Sequence, residues 1–237
     1  MPEDTKPALL VQGLRAWYGE SQALHGIDLE VRRGETVALL GRNGAGKTTT
    51  LKAILGLMSR REGRIEVRGT DITRLPLHGI ARTGLGYVPE ERGIFSELSV
   101  AENLALPPVV LPGGWSMEEI FDLFPNLKER LNSPGTKLSG GEQQMLAMAR
   151  ILRTGADILL LDEPTEGLAP VIIDRIGAAI RALKARGMTV VLVEQNFRFA
   201  QKVADRYYII ENGKVRDHFG TDELASRQQA LGEILGV

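Results

Sequence analysis

Apolar and polar positions follow two different rhythms along this chain. Over residues 8–34 they alternate, with Ile27, Leu29 and Val31 on one side and Asp28, Glu30 and Arg32 on the other. Residues 63–72 repeat that alternation. A period of two predicts antiparallel strands with one face in water. Residues 36–40 (TVALL), 157–163 (DILLLDE) and 189–195 (TVVLVEQ) instead run almost continuously aliphatic. Such runs fit strands covered by helices on both faces. After Pro170, the residues Ile173, Ile176, Ile180 and Leu183 recur at spacings of three and four, which predicts a helix starting near that proline. Alternating strands and helices imply a right-handed, mostly parallel α/β core.

Between about 91 and 155 the texture changes. A proline- and glycine-rich loop (106–116) leads into a helical stretch, MEEIFDLFPNLKERL, and then a helix over about 142–153 with Met145, Ala149 and Leu152 on one face. The expectation is a helical subdomain inserted into an α/β core built from about 1–90 and 156–237. Asn212-Gly213, between two β-rich runs, predicts a tight hairpin.

Composition narrows the partners. With 237 residues and 43% hydrophobic content, one large domain is expected, and a net charge of −1 gives no global attraction to nucleic acid or anionic lipid. There is no cysteine, hence no disulfide and no thiolate metal site. No apolar run approaches the roughly 18–20 residues that cross a bilayer, and the first residues lack the pattern of a signal peptide. A soluble, cytosolic chain that reaches any membrane through partners is expected.

Two segments carry phosphate chemistry. GRNGAGKTT (41–49) fits G-x-x-x-x-G-K-[ST] and lies between an apolar strand and a helical stretch, the context that motif requires. Gly41, Arg42, Asn43, Gly44, Ala45 and Gly46 would turn backbone N–H groups around a phosphate chain. Lys47 would reach the β and γ phosphates, and Thr48, followed by Thr49, would hold Mg²⁺ through its hydroxyl. In ILLLDEP (158–164), Asp162 ends a buried strand, where a carboxylate is costly without a cation or hydrogen bonds. Glu163 beside it is placed to polarise an attacking water.

A kinase, GTPase or helicase could own that loop. KLSGGEQQMLAMAR (137–150) adds a second helix N-terminus, with Ser139, Gly140 and Gly141 at its start. With this segment just before LLLDEP, the chain resembles the ATP-binding cassette ATPases over essentially its whole length. The resemblance implies a P-loop NTPase (RecA-like) core with a mostly parallel sheet, an antiparallel β subdomain and an inserted helical signature subdomain. It implies ATP and Mg²⁺, bound in a head-to-tail dimer between the phosphate loop of one subunit and Ser139, Gly140 and Gly141 of the other. Tyr18 falls where the family stacks an aromatic on adenine, and EGLAP (166–170) where subunits touch.

Two positions depart from the family pattern. Glu90 stands where a glutamine usually follows YVP, and is counted with Thr48 and Asp162 as a Mg²⁺ contact. Gln195 stands where a histidine usually meets the γ phosphate. Its amide donates a hydrogen bond but never becomes a cation, and capping its own loop is the alternative role. VPEERGIFSELSVAENL, LDEPTEGLAP and LVEQN together resemble one of the two ATPases of branched-chain amino-acid importers. That resemblance implies a second ABC ATPase subunit, two transmembrane permeases and an extracytoplasmic solute-binding protein. It places the chain on the cytoplasmic side of a bacterial or archaeal cell membrane, with a permease groove built from the Glu90 loop and the helices near Trp115 to Arg130. Urea or amide importers, lipopolysaccharide exporters and, less in keeping with one phosphate loop, non-transport cassette ATPases are the alternatives.

Overall fold

The alternating segments make one antiparallel sheet, ordered β2–β1–β4–β5, from β1 (Leu9–Tyr18), β2 (Ser21–Val31), β4 (Arg60–Val67) and β5 (Thr70–Asp71). The computed structural model describes residues 6–227 and 231. The aliphatic runs become β3 (Thr36–Leu40), β7 (Ile158–Asp162) and β8 (Thr189–Glu194), every residue of which is buried. They sit in a six-stranded sheet ordered β10–β9–β3–β8–β7–β6, with β6 (Leu85–Val88) and β9 (Arg206–Glu211) parallel to them. Only the edge strand β10 (Lys214–Gly220) runs antiparallel.

Pleating sends alternate side chains of these strands to opposite faces of the sheet. Val191 and Val193 pack with Leu51 and Ile54 of α1 (Lys47–Ile54) and with the antiparallel sheet. Val190 and Leu192 face the other way, toward Leu146 and Leu152 of α6 (Gly140–Leu152) and Ile176 and Ile180 of α7 (Pro170–Ala185). Each such buried side chain contributes about 1.5–3 kcal/mol of transfer free energy. A sheet clamped on both faces aligns its strand ends. Leu40 pairs with Glu194, and Asp162 with Val193, so the segments after β3, β7 and β8 emerge side by side.

Some local elements differ from the sequence pattern. The helical stretch after Ser116 breaks into α4 (Met117–Leu123) and α5 (Pro125–Glu129), because a residue before proline avoids helical geometry and Phe124 lies at φ −129° and ψ 70°. Helix α6 starts at Gly140, two residues before the expected point, because Ser139 is its N-cap and makes a capping box with Glu142. Short helices α2 (Leu77–Ala81), α3 (Val100–Ala105) and α8 (Phe197–Val203) were not evident from periodicity, although Ser99 and Glu102 cap α3 in the same manner. Among the described residues no helix is long and apolar enough to cross a membrane.

The β9–β10 turn bears on the phosphate loop. Asn212 and Gly213 lie at φ 47° and 69°, the left-handed pair of a two-residue hairpin. The Gly213 N–H donates to the Ala45 carbonyl at 2.8 Å, and its carbonyl accepts from the His25 N–H at 2.8 Å. A Cβ at Gly213 would run into the Ala23 carbonyl oxygen. Gly213→Ala is therefore expected to lower unfolding stability by about 1–3 kcal/mol. Urea denaturation tests this, and an unshifted midpoint would show that the turn tolerates a side chain.

Candidate functional site

Where β3, β7 and β8 end, a cleft of about 300 Å³ opens, lined by Asn43, Gly44, Gly46, Lys47, Thr48, Thr49, Glu90, Glu163, Glu166 and Gln195. The phosphate-type loop forms its floor. Gly41 is required at the loop's start, since a Cβ there would meet the Ile210 carbonyl oxygen. Gly46 is the N-cap of α1 and makes no side-chain cap. The first N–H groups of α1 are thus left without a side-chain partner, an arrangement suited to an anion. Ala45 is buried, while Arg42, Asn43 and Gly44 are exposed at the rim.

Lys47 is only 4% exposed, and its ammonium donates to the Gly41 carbonyl at 3.0 Å and the Arg42 carbonyl at 3.2 Å. It also pairs with Glu163 Oε1 at 3.2 Å. The other oxygen of Glu163 accepts from the Gln195 amide at 2.6 Å. Glu163 itself has φ 45°, left-handed backbone that is strained for a residue with a side chain.

Asp162 is fully buried. It accepts from the Thr48 hydroxyl at 2.8 Å and the Tyr87 hydroxyl at 2.9 Å. Burial pushes its carboxyl above the usual range, the two hydroxyls pull it back, and the charges of Glu163 and Glu90 raise it further. The Tyr87 hydroxyl is held well above its ordinary range, by burial first and then by Asp162. Glu166 is likewise raised, by desolvation and by Glu163 and Glu90.

Three glutamates thus face one lysine in the cleft wall. A phosphate chain entering such a wall needs added positive charge. The donors beside it, the Thr48 hydroxyl and the Asp162 carboxylate, are hard oxygens of the kind Mg²⁺ prefers. Among the described residues no group of three or more His, Cys, Asp or Glu side chains is arranged to hold a metal alone.

Tyr18 ends β1, is 53% exposed, and has its hydroxyl 3.3 Å from Thr49 Oγ1 at the edge of the loop. Ser139, Gly140 and Gly141 do not line the cleft. They start α6 against Arg92, Leu168 and Ile172, and Arg92 donates to Gln143 of that helix at 2.8 Å. Capping of the next helix falls to Asn196, whose side chain accepts from the Phe199 N–H, rather than to Gln195. Trp115 is buried in the helical core, with the Arg186 guanidinium 4.1 Å above its ring.

Sequence reasoning missed Tyr87, Thr165 and Glu194. Glu194 ends β8, is 2% exposed, and accepts from the Thr165 hydroxyl at 2.6 Å. Its signal was present as a carboxylate closing an aliphatic strand, the same pattern that marked Asp162.

The family described as ABC transporter matches residues 24–166. The high-affinity branched-chain amino acid transport ATP-binding protein BraG of Pseudomonas aeruginosa is 44% identical over 229 residues, covering 93% of this chain and 96% of that one. The lipopolysaccharide export system ATP-binding protein LptB of Escherichia coli K12 is 35% identical, covering 96% and 97%. Among solved structures, an ATP-binding cassette in a dimeric post-hydrolysis state bound to ADP and Pi is similar with a TM-score of 0.79 and 25% identity, covering 90% of this chain and 98% of that one.

Burial dominates at Glu194 and pushes its carboxyl from 4.5 to about 7, against the pull of the Thr165 and Asn196 donors. A raised folded value favours the protonated form. Its stabilising contribution is complete below about 4.5 and lost as pH rises through about 7, a gap worth on the order of 3 kcal/mol. Unfolding midpoints compared at pH 5 and pH 8 should show a slope that Glu194→Gln flattens. An equal slope in both proteins would assign it elsewhere.

Proposed function

The chain belongs to the ABC transporter family and is an ATPase of the cassette type, and on that premise we propose that it powers a branched-chain amino-acid importer. The observation that carries the catalytic part is Glu163, held between Lys47 and Gln195 at the rim of the phosphate loop. The similarity to BraG, at 44% against 35% for LptB, favours amino-acid import over lipopolysaccharide export.

ATP enters with its phosphates on the N–H groups of residues 41–49 and its adenine against Tyr18. Lys47 exchanges Glu163 and the two loop carbonyls for β and γ phosphate oxygens. Glu163, released on that side, accepts a hydrogen bond from the attacking water and polarises it for in-line displacement at the γ phosphorus. Gln195 holds the other carboxylate oxygen and so fixes the carboxylate plane. Its amide has a second N–H, which is left for a γ phosphate oxygen. Thr48 and Asp162, with Glu90 in the same cleft, would hold Mg²⁺, which neutralises charge on the phosphate chain when bound.

One chain has half of each site. Ser139, Gly140 and Gly141 lie away from the chain's own cleft, so a second cassette must supply these residues across the interface, and the dimeric cassette structure supports that arrangement. The two partners are this chain and either a copy or a different ATPase subunit. For the permeases we assign the cleft of about 410 Å³ lined by Tyr87, Pro89, Phe95, Leu106 and Pro107. Phe95 and Leu106 are each 50% exposed there. Through that contact the chain works peripherally at the cytoplasmic face of the cell membrane, fed by an extracytoplasmic solute-binding protein.

Glu163→Gln should lower steady-state phosphate release at least about a hundredfold while ATP drives the protein into a stable dimer by size-exclusion chromatography. Near-normal hydrolysis would remove Glu163 as the water-polarising residue. Co-expression with the permeases and binding protein should confer ATP-dependent uptake of leucine, isoleucine or valine into vesicles. A complex that transports urea or extracts lipopolysaccharide instead would overturn the solute assignment.

A further inference from the structure

We infer that Glu194 is a positioning residue for ATP hydrolysis, its buried carboxylate clipping the turn that carries Glu163 to the turn that carries Gln195. The inference rests on the reading of Glu163 given above. The geometry divides the carboxylate between the two turns. Oε1 accepts from the Thr165 hydroxyl at 2.6 Å and the Thr165 N–H at 3.2 Å. Oε2 accepts from the N–H groups of Gln195 and Asn196, each at 3.2 Å.

Both turns need a clip. Left-handed backbone at Glu163 costs on the order of 1–3 kcal/mol and persists only where neighbours overdetermine it. The Glu163 N–H reaches the Val193 carbonyl at 3.0 Å, and the Glu166 N–H returns to the Glu163 carbonyl at 3.1 Å. These bonds hold the strained residue and the turn's own closure. The Thr165 contacts to Glu194 tie that turn to the end of β8, after which Gln195 begins the next turn. The charged group facing Glu194 from the neighbouring strand end is Glu163, and it opposes ionisation of the carboxyl. Burying a carboxyl here is costly, and a plain strand end has no need of it. Four donors converging on one side chain are the compensation, and their consequence is a fixed distance between the Glu163 and Gln195 side chains.

Glu194→Gln keeps shape and one acceptor oxygen, but its NH₂ must face N–H donors of one turn or the other. The expected result, with full-length chain, ATP and Mg²⁺, is a kcat loss of about tenfold to a hundredfold with little change in KM for ATP. Thr165→Val, which preserves volume but not the hydroxyl, should lose kcat in the same way, and Thr165→Ser should restore most of it. The Thr165 pair keeps the test informative if Glu194→Gln does not fold. A KM rising in step with the kcat loss, or Thr165→Ser as damaging as Thr165→Val, would overturn the clip. Unchanged kcat in Glu194→Gln beside an inactive Glu163→Gln overturns this inference alone, whereas an active Glu163→Gln overturns the reading of Glu163 beneath it.

Discussion

The ion pair between Lys47 and Glu163 is buried on both sides, with 4% and 9% of the side chains exposed at a separation of 3.2 Å. Removing one partner of such a pair leaves an uncompensated charge in a poorly solvated place, which is strongly unfavourable. Lys47 therefore leaves Glu163 only for something at least as anionic, and a triphosphate meets that demand. Glu163 in turn is left with the Gln195 amide on one oxygen and an open acceptor on the other. Phosphate capture and release of the polarising carboxylate thus become one event, because the same lysine serves both.

That economy depends on the sheet. Strands β3, β8 and β7 are neighbours and wholly buried, so their ends are set by packing on both faces rather than by loop conformation. Lys47 follows β3, Asp162 ends β7 and Glu163 follows it, and Gln195 follows β8. Side chains at rigid strand ends lose little further freedom when they meet a ligand. The loops between are short where it matters, and the hairpin tip at Gly213 backs the phosphate loop through Ala45.

Much of this could be read from sequence because the chemistry lies in contiguous words next to strongly patterned strands. Lys47 and Thr48 close the glycine-rich loop that follows one aliphatic run, Asp162, Glu163 and Gln195 sit at the ends of two others, and the structure brings all five together. Glu194 also closes an aliphatic run, but its partner, like that of Tyr87, could not be read in the same way. Tyr87 meets Asp162 across 75 residues and Glu194 meets Thr165 across 29, so register, not composition, makes these pairs. The helical subdomain was legible in outline but not in detail. Its apolar spacing continued through Phe124, and only the steric rule for a residue preceding proline divides that stretch. Trp115, at the end of the proline- and glycine-rich segment, closes the helical core.

The amide at position 195 follows from its neighbours. Glu90, Glu163 and Glu166 line the same cleft, and Glu194 lies directly before it in the chain. An imidazole in that place would have its charged form favoured by every one of these carboxylates when they are ionised. It would then compete with Lys47 for Glu163 as a second cation, and the strength of that competition would vary near neutral pH. Glutamine offers the same donor 2.6 Å from Glu163 with no charge to gain. Gln195 itself then adds no titration to the orientation of the polarising carboxylate, and Lys47 remains the cation whose movement toward phosphate frees it.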